Sequence, residues 1–251
     1  MGIAFLGAFG AAIGSFVNVL AYRLPRRESI VKPRSRCPYC ETQIAGYDNI
    51  PIISWFLLRG RCRHCHARIP VRYPLVEALT ALLFVGVGLK IGLEATLIPA
   101  LAFTITLVAA AETDLEHRII PNRLMATSAI AAVVLWAIVD PGRLPENLIA
   151  GAAAGGFLLA AALAYPAGMG MGDVKLAGVM GLFIGASVAP ALFVGFAAGA
   201  LVGIAIVLAR GASARKQGVP FGPFLAFGGI VGLLYGPAII DWYGGFSGLG
   251  G

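Results

Sequence analysis

The segment 190–209, PALFVGFAAGALVGIAIVLA, contains no charged side chain. Its 20 residues are the length that an α-helix needs to cross the hydrocarbon core of a bilayer, which is about 30 Å thick. The rest of the chain has the same character: 59% of its 251 residues are hydrophobic and 12% are charged, whereas a soluble domain carries about 25% charge. The sequence therefore predicts an all-α polytopic membrane protein.

Seven other segments are similarly apolar, so we predict eight transmembrane helices. The sixth, 174–189, has an alternative, because Pro190 and the nearby glycines also suit a re-entrant segment and seven spans. We expect no cleavable signal peptide, since no basic segment precedes residues 3–20. The predicted spans are 3–21, 74–92, 95–113, 124–140, 147–165, 174–189, 190–209 and 221–241.

The net charge of +7 is distributed asymmetrically along the chain. If the N-terminus is outside, four inside segments carry 17 of the 19 Lys and Arg residues, which is the positive-inside pattern. Seven spans would put the basic segment 210–220 outside, so the charge favours eight. Because the topology accounts for the charge, we expect the lipid bilayer as a partner and no nucleic acid. The inside segments are 22–73, 114–123, 166–175 and 210–220.

This topology divides the chain into three parts: a first transmembrane helix (1–21), a cytoplasmic loop domain (22–73) and a seven-helix membrane domain (74–251). The loop domain contains an apolar segment, Asn49-Ile50-Pro51-Ile52-Ile53-Ser54-Trp55-Phe56. This segment either lies on the membrane interface and receives a hydrophobic substrate, or packs inside the loop domain as a small core.

The loop domain also holds all four cysteines, as two C-x2-C pairs, Cys37 with Cys40 and Cys62 with Cys65. Each pair can grip a tetrahedral ion from a tight turn, and four thiolates leave no coordination position open, so we predict a structural zinc ion. The surrounding arginines are expected to lower the thiol pKa values. Two disulfides, a redox pair or inert thiols are the alternatives, although a reducing cytoplasm disfavours stable disulfides.

Two aspartates, Asp114 and Asp173, stand at the edges of apolar spans, where an isolated carboxylate is costly and is a functional candidate. Asp173 could act as a helix N-cap, but Asp114 lies at the C-terminal end of its span, where the helix dipole disfavours an anion. A solvated acid or a partner for Arg118 is the alternative for Asp114, and Glu112 and Glu116 are nearby competitors.

The predicted topology places Asp114 and Asp173 on the same side of the membrane. Two adjacent carboxylates can share a proton, so that one activates a water molecule while the other protonates a carbonyl oxygen, which is the chemistry of an aspartic protease. Gly170 and Gly172 precede Asp173 and would let a substrate backbone approach closely. Lys175 either biases which carboxylate ionises or extends towards the membrane interface.

An ordered set of motifs over nearly the whole chain resembles the prepilin peptidase family. Asp114 resembles the first catalytic aspartate of that family, and Asp173 the second. Many relatives have Leu-Pro-Asp where this chain has Ile120-Pro121-Asn122; because Asn can still cap the next helix, we expect little effect. The remaining motifs are Gly14-Ser15-Phe16-Val17-Asn18-Val19, Tyr22-Arg23-Leu24-Pro25, Cys37-Pro38-Tyr39-Cys40, Asn49-Ile50-Pro51, Arg59-Gly60-Arg61-Cys62-Arg63-His64-Cys65, Arg72-Tyr73-Pro74-Leu75-Val76-Glu77, Gly170-Met171-Gly172-Asp173-Val174-Lys175-Leu176 and Pro220-Phe221-Gly222-Pro223-Phe224-Leu225.

The resemblance implies a multi-pass enzyme of the bacterial inner membrane. Such enzymes cleave a short basic leader from prepilins and pseudopilins after a glycine, on the cytoplasmic face, and the new N-terminal residue is usually phenylalanine. Many also methylate the new amine with S-adenosylmethionine, an activity associated with the cysteine-bearing loop. The implied catalytic pair is Asp114 and Asp173, and the implied zinc ligands are the four cysteines.

Two other classes of function are compatible with parts of the sequence. Intramembrane acids also serve proton- or cation-coupled transporters, in which case the cysteine loop would be regulatory. Transporters often carry paired repeats with a broken helix in each half, whereas only Asp173 has a glycine-rich break beside it. A non-enzymatic membrane scaffold would leave both aspartates without a role.

Overall fold

The computed structural model describes residues 2–165, 169–211 and 219–247. The regular structure of these residues is helical, with no strand, so the predicted all-α fold is confirmed. Residues 166–168 and 212–218, which belong to two of the predicted inside segments, lie outside the described residues. The helices are α1 (Gly2–Arg23), α2 (Ile53–Leu57), α3 (Arg72–Ile91), α4 (Leu97–His117), α5 (Asn122–Val139), α6 (Leu144–Ala164), α7 (Met171–Ile184), α8 (Val188–Arg210) and α9 (Gly222–Ser247).

Each predicted span overlaps a helix among α1 and α3 to α9, and the sixth, 174–189, covers most of α7 and the first two residues of α8. In the described residues seven segments are long and apolar enough to cross a membrane, because α7 and α8 together form one segment of 39 residues, Met171–Ala209. A single straight helix of that length would extend about 58 Å, nearly twice the hydrocarbon thickness. The segment is instead broken by a 3₁₀ turn, Gly185–Ser187, whose first residue has φ +55°, a conformation that favours glycine. Helix α7 alone has 14 residues and is shorter than a full span.

The chain divides into two compact units, Met1–Leu97 and Ile98–Gly251. In the first unit α1 and α3 pack antiparallel. They pack closely because glycines of α1 let the two backbones approach each other. A Cβ on Gly14 would lie 2.7 Å from the Cα of Glu77, and one on Gly10 would lie 2.8 Å from the Cα of Ala81. The predicted division into 1–21, 22–73 and 74–251 stays a prediction.

In the second unit α4 is the most buried of the membrane-length helices. Of the residues in its hydrophobic 18-residue stretch, 72% are buried. Phe103 of α4 stacks on Phe183 of α7 at a centroid distance of 5.1 Å, and the Thr106 hydroxyl donates to Ser128 of α5 at 2.9 Å. A Cβ on Gly229 of α9 would lie 2.8 Å from a methyl group of α4. These contacts hold α4 among α5, α7 and α9, and they fix the position of its C-terminal turn.

Candidate active site and metal centre

Asp114 lies in the last turn of α4 and is 7% exposed. Its Oδ2 atom accepts a hydrogen bond of 2.7 Å from the backbone N–H of Gly222, the first residue of α9. The carboxylate therefore stands at the C-terminal end of its own helix but at the N-terminal end of another, where unpaired N–H groups and the helix dipole stabilise an anion. This contact offsets the unfavourable dipole of α4.

The contact requires glycine at position 222. A Cβ added there would lie 2.8 Å from Asp114 Oδ2, closer than real Cβ contacts, and 3.0 Å from Asp114 Cβ, which is tighter than most, so a side chain here would displace the carboxylate. Sequence reasoning missed the role of Gly222, although the motif Pro220-Phe221-Gly222-Pro223 carried a signal. A glycine followed by a proline at the start of a span marks a helix N-terminus that can be approached closely.

Asp173 is the third residue of α7, which begins at Met171 with Gly170 as its N-cap residue. The alternative in which Asp173 itself is the N-cap is therefore wrong. Its half-buried carboxylate instead accepts a hydrogen bond from the backbone N–H of Gly170, as the third residue of a capping box does. A Cβ on Gly170 would lie 3.4 Å from Asp173 Oδ2, so the carboxylate folds back over this turn.

Asp114 and Asp173 lie in the same region of the second unit, since the Asp114 carboxylate acts electrostatically on Asp173. Two contacts join the loop after α4 to the first turn of α7. A Cβ on Gly172 would lie 3.0 Å from the Cβ of Ile120, and the Lys175 ammonium donates to the Asn122 side-chain oxygen at 2.6 Å.

One expectation about a side chain near the site, that of Asn122, is corrected. Asn122 is the first residue of α5, whose N-cap is Pro121, so its side chain does not cap that helix but accepts from Lys175. Lys175 is thus held by Asn122, and its two expected roles, biasing which carboxylate ionises and extending towards the membrane interface, stay predictions. Arg118, which follows Asp114 by one turn, acts electrostatically on that carboxylate.

The four cysteines lie together in the first unit, with all four sulfur atoms within 4.8 Å of one another. The Sγ atoms of Cys37 and Cys65 are 3.7 Å apart. Sulfurs bound to a tetrahedral zinc ion at about 2.3 Å would be separated by about 3.8 Å, whereas a disulfide needs about 2.05 Å. The cysteines are free thiols in one cluster, so the residues present fit a metal ion of this kind and do not form two disulfides.

The two C-x2-C turns have the same backbone structure. In each, the N–H of the first cysteine donates to the carbonyl five residues later, and the residue after the second cysteine has a positive φ. Because the two turns have the same structure, their two pairs of thiols can surround a single ion. The hydrogen bonds are Cys37 N to Thr42 O at 3.0 Å and Cys62 N to Ala67 O at 2.9 Å, and the positive φ values are 55° at Glu41 and 57° at His66.

Hydrogen bonds, and not the arginines that we expected, favour the thiolate forms of Cys40 and Cys62. The Thr42 hydroxyl and backbone amide lower the pKa of Cys40 to about 6. The backbone amides of Cys65 and His64 lower the pKa of Cys62. Although the Ala67 amide acts in the opposite direction, burial and the neighbouring thiols raise the pKa of Cys65 to about 12. Because a metal binds the thiolate and not the thiol, the hydrogen bonds at Cys40 and Cys62 favour metal binding by these two cysteines.

The apolar segment 49–56 was predicted either to form a small core inside the loop domain or to face the membrane or a substrate, and its residues divide between the two. Ser54 is buried, and the Trp55 indole N–H donates to the carbonyl of Ile69 at 3.1 Å, so part of the segment forms a small core. The side chains of Ile53 and Phe56 are exposed, so a second face is left for the membrane or a substrate. Glu77 of α3, whose role sequence reasoning missed, accepts from the Ile52 N–H at 2.7 Å and ties the segment to its span.

Fold and site together describe a helical membrane protein with two carboxylates, which interact electrostatically, at the ends of helices and a loop with four clustered cysteines that could bind a metal ion. Two family models match the chain: the bacterial peptidase A24 N-terminal domain over residues 8–91 and the type IV leader peptidase family over residues 101–208. The second match contains both Asp114 and Asp173. The chain belongs to the type IV leader peptidase family.

Curated relatives cover nearly the whole chain. A protein of Bacillus subtilis (strain 168), named prepilin leader peptidase/N-methyltransferase, is 38% identical over 96% of this chain and 97% of its own length. A protein of the same name from Aeromonas hydrophila is 36% identical over 94% of this chain and 91% of its own length. The type 4 prepilin-like proteins leader peptide-processing enzyme of Escherichia coli O78:H11 is 34% identical over 88% of this chain and 89% of its own length. No solved structure matches the chain.

Proposed function

We propose that the chain is a membrane aspartyl endopeptidase that removes the leader peptides of type IV prepilins and pseudopilins. The observation that supports the proposal is the electrostatic effect of Asp114 on Asp173, two acids from different helices of the second unit. The names of the relatives, which describe prepilin leader peptidases, support the substrate class.

In the proposed reaction Asp114 and Asp173 act as a pair. One carboxylate takes a proton from a water molecule held between them, while the other, protonated, donates to the scissile carbonyl oxygen as the tetrahedral intermediate forms. The Gly222 N–H keeps one oxygen of Asp114 fixed, and the Gly170 N–H orients Asp173. The substrate strand would approach the backbone at Gly170 and Gly172, on the sides of these glycines that Ile120 and the Asp173 carboxylate do not occupy.

The proposal includes the site of cleavage and its orientation. Cleavage follows a glycine on the cytoplasmic face of the inner membrane, as the resemblance to the prepilin peptidase family implies. The orientation is supported by the basic residues of the loop 22–73, which would face the cytoplasm under the positive-inside rule. In this arrangement the aspartates, the cysteine loop and the basic leader of the substrate lie on the same side.

We further propose that the enzyme methylates the new N-terminal amine, as the N-methyltransferase part of the relatives' name suggests. S-adenosylmethionine would supply the methyl group. The loop domain 22–73 would carry this second activity, with Cys37, Cys40, Cys62 and Cys65 holding a structural zinc ion. The seven-helix domain 74–251 would carry proteolysis.

A reconstituted assay tests the peptidase. Purified protein in proteoliposomes is mixed with a full-length prepilin, and the product is identified by mass spectrometry. We expect Asp114→Asn and Asp173→Asn each to lower the cleavage rate by about a thousandfold or more. The control is Asp140→Asn, which removes an exposed acid paired with Arg143. Wild-type cleavage by either site variant would refute the catalytic assignment, and proton-coupled uptake that depends on both acids would favour a transporter.

A further inference from the structure

An open pocket of about 430 Å³ lies in the loop domain beside the second cysteine turn. Three arginines, Arg59, Arg61 and Arg68, line it together with the ring of Trp55. The Trp55 indole N–H is already bonded to the Ile69 carbonyl, so the ring presents its carbon surface and not its donor. The pocket combines an aromatic wall with three cationic side chains.

The three guanidinium groups have no acid to neutralise them. Their side chains are exposed and take part in no ion pair among the described residues. The neighbouring acid, Asp48, is held by Arg63, whose Nε donates to its Oδ2 at 2.8 Å. Three like charges around one cavity repel one another, and this repulsion is relieved when an anion binds between them.

The position of the pocket beside a membrane-length helix favours a lipid headgroup as the source of the anion. Val71 also lines the pocket, and it directly precedes α3, which is one of the membrane-length helices. The pocket therefore lies at the level where the chain enters the bilayer. Leu75, Leu79 and Leu82 follow Val71 at helical spacing, and they are 60%, 50% and 69% exposed. An apolar stripe thus continues from the pocket along the lipid-facing side of α3.

We propose that this pocket binds the phosphate of an anionic phospholipid, whose acyl chains lie along the α3 stripe. Arginines bind phosphate oxygens through charge-assisted hydrogen bonds, and basic pockets next to transmembrane helices bind lipid headgroups in this way. Because Arg61 and Arg68 flank the turn of Cys62 and Cys65, the lipid would also hold the cysteine loop against the membrane surface.

The chain contains a matched control for the pocket. Arg36 precedes Cys37 as Arg61 precedes Cys62, and the two arginines form equivalent backbone bridges, Arg36 with Gln43 and Arg61 with Arg68. Arg36 does not line the pocket. Replacing Arg27, Arg34 and Arg36 with Gln removes the same charge from the same loop as replacing the three pocket arginines with Gln.

Binding is measured by native mass spectrometry of the full-length protein in detergent, titrated with dioleoylphosphatidylglycerol or dioleoylphosphatidylcholine. We expect the phosphatidylglycerol affinity of the pocket triple variant to fall at least about tenfold, and that of the control triple variant to fall much less. Wild-type protein should prefer phosphatidylglycerol to phosphatidylcholine. Equal losses in the two triple variants, or no preference between the lipids, would overturn the proposal.

Two further arms complete the test. Titration with inorganic phosphate and with glycerol 3-phosphate separates a lipid site from a site for a soluble anion, and arginine-dependent binding of these alone would also overturn the proposal. If the pocket triple variant does not fold, as judged by gel filtration and circular dichroism, Arg61→Gln is compared with Arg36→Gln. Only the first should weaken phosphatidylglycerol binding.

Discussion

Replacing Gly222 with Ala tests whether the N-terminus of α9 stabilises Asp114. The added Cβ would lie 2.8 Å from Asp114 Oδ2, below any normal contact distance, so the carboxylate must move away and lose its 2.7 Å hydrogen bond. A hydrogen bond to a charged group contributes about 1.5–3 kcal/mol, which corresponds to about 10- to 150-fold in rate if the bond acts in the transition state. We therefore expect Gly222→Ala to lower kcat for prepilin cleavage by that factor.

The control for this prediction is Gly203→Ala in α8, where an added Cβ would have no atom within 4 Å. Both variants are assayed for kcat, KM and Tm in the same proteoliposomes. The Tm values show whether a loss of rate in Gly222→Ala accompanies a loss of stability, because the lost hydrogen bond destabilises the fold while alanine favours a helix over glycine by up to about 1 kcal/mol. Wild-type kcat in Gly222→Ala at unchanged Tm would refute the role assigned to this N–H group.

Three further predictions concern the loop and the Lys175 contact. Purified protein should hold about one zinc ion per chain by mass spectrometry of the metal, and Cys40→Ser should lower this content, whereas Arg36→Gln should not. In chelated protein, alkylation of Cys40 by iodoacetamide should slow as the pH falls through about 6, because its lowered pKa keeps the thiolate dominant above that pH; a midpoint near 8.5, as for a free thiol, would contradict the Thr42 hydrogen bonds. Asn122→Asp should keep the contact with Lys175 and wild-type cleavage, whereas Asn122→Leu should remove the contact and lower kcat several-fold; equal rates would show that the contact does not position the site.

The membrane fold could be predicted because the signal is local. A span such as 190–209 is defined by its own composition, and each predicted span falls on helical structure, although the sixth and seventh belong to one segment, Met171–Ala209. The short length of α7 could not be predicted in the same way, since its boundary depends on the turn at Gly185 and not on a change in hydrophobicity. The cysteine cluster could also be predicted, because the C-x2-C spacing that is typical of metal ligands is a local feature of the sequence.

The details of the site depend on contacts between distant parts of the chain. Asp114 and Gly222 are 108 residues apart, and nothing near Asp114 indicates that another helix begins beside it. The same holds for Lys175 with Asn122 and for Glu77 with Ile52. From the sequence, Asp114 was a functional candidate because the dipole of its own helix destabilises an anion at that position. The structure shows that the N-terminus of a second helix, α9, stabilises the same carboxylate.

The central claim is that Asp114 and Asp173 act as one unit, and a double-mutant cycle tests it most directly. Cleavage rates are measured for Asp114→Asn, Asp173→Asn and the double variant in the same proteoliposomes. Because residues that act together are strongly non-additive, we expect the double variant to be no slower than the slower single variant. A double variant whose loss equals the product of the two single losses, or a single variant that cleaves like wild type, would contradict the claim.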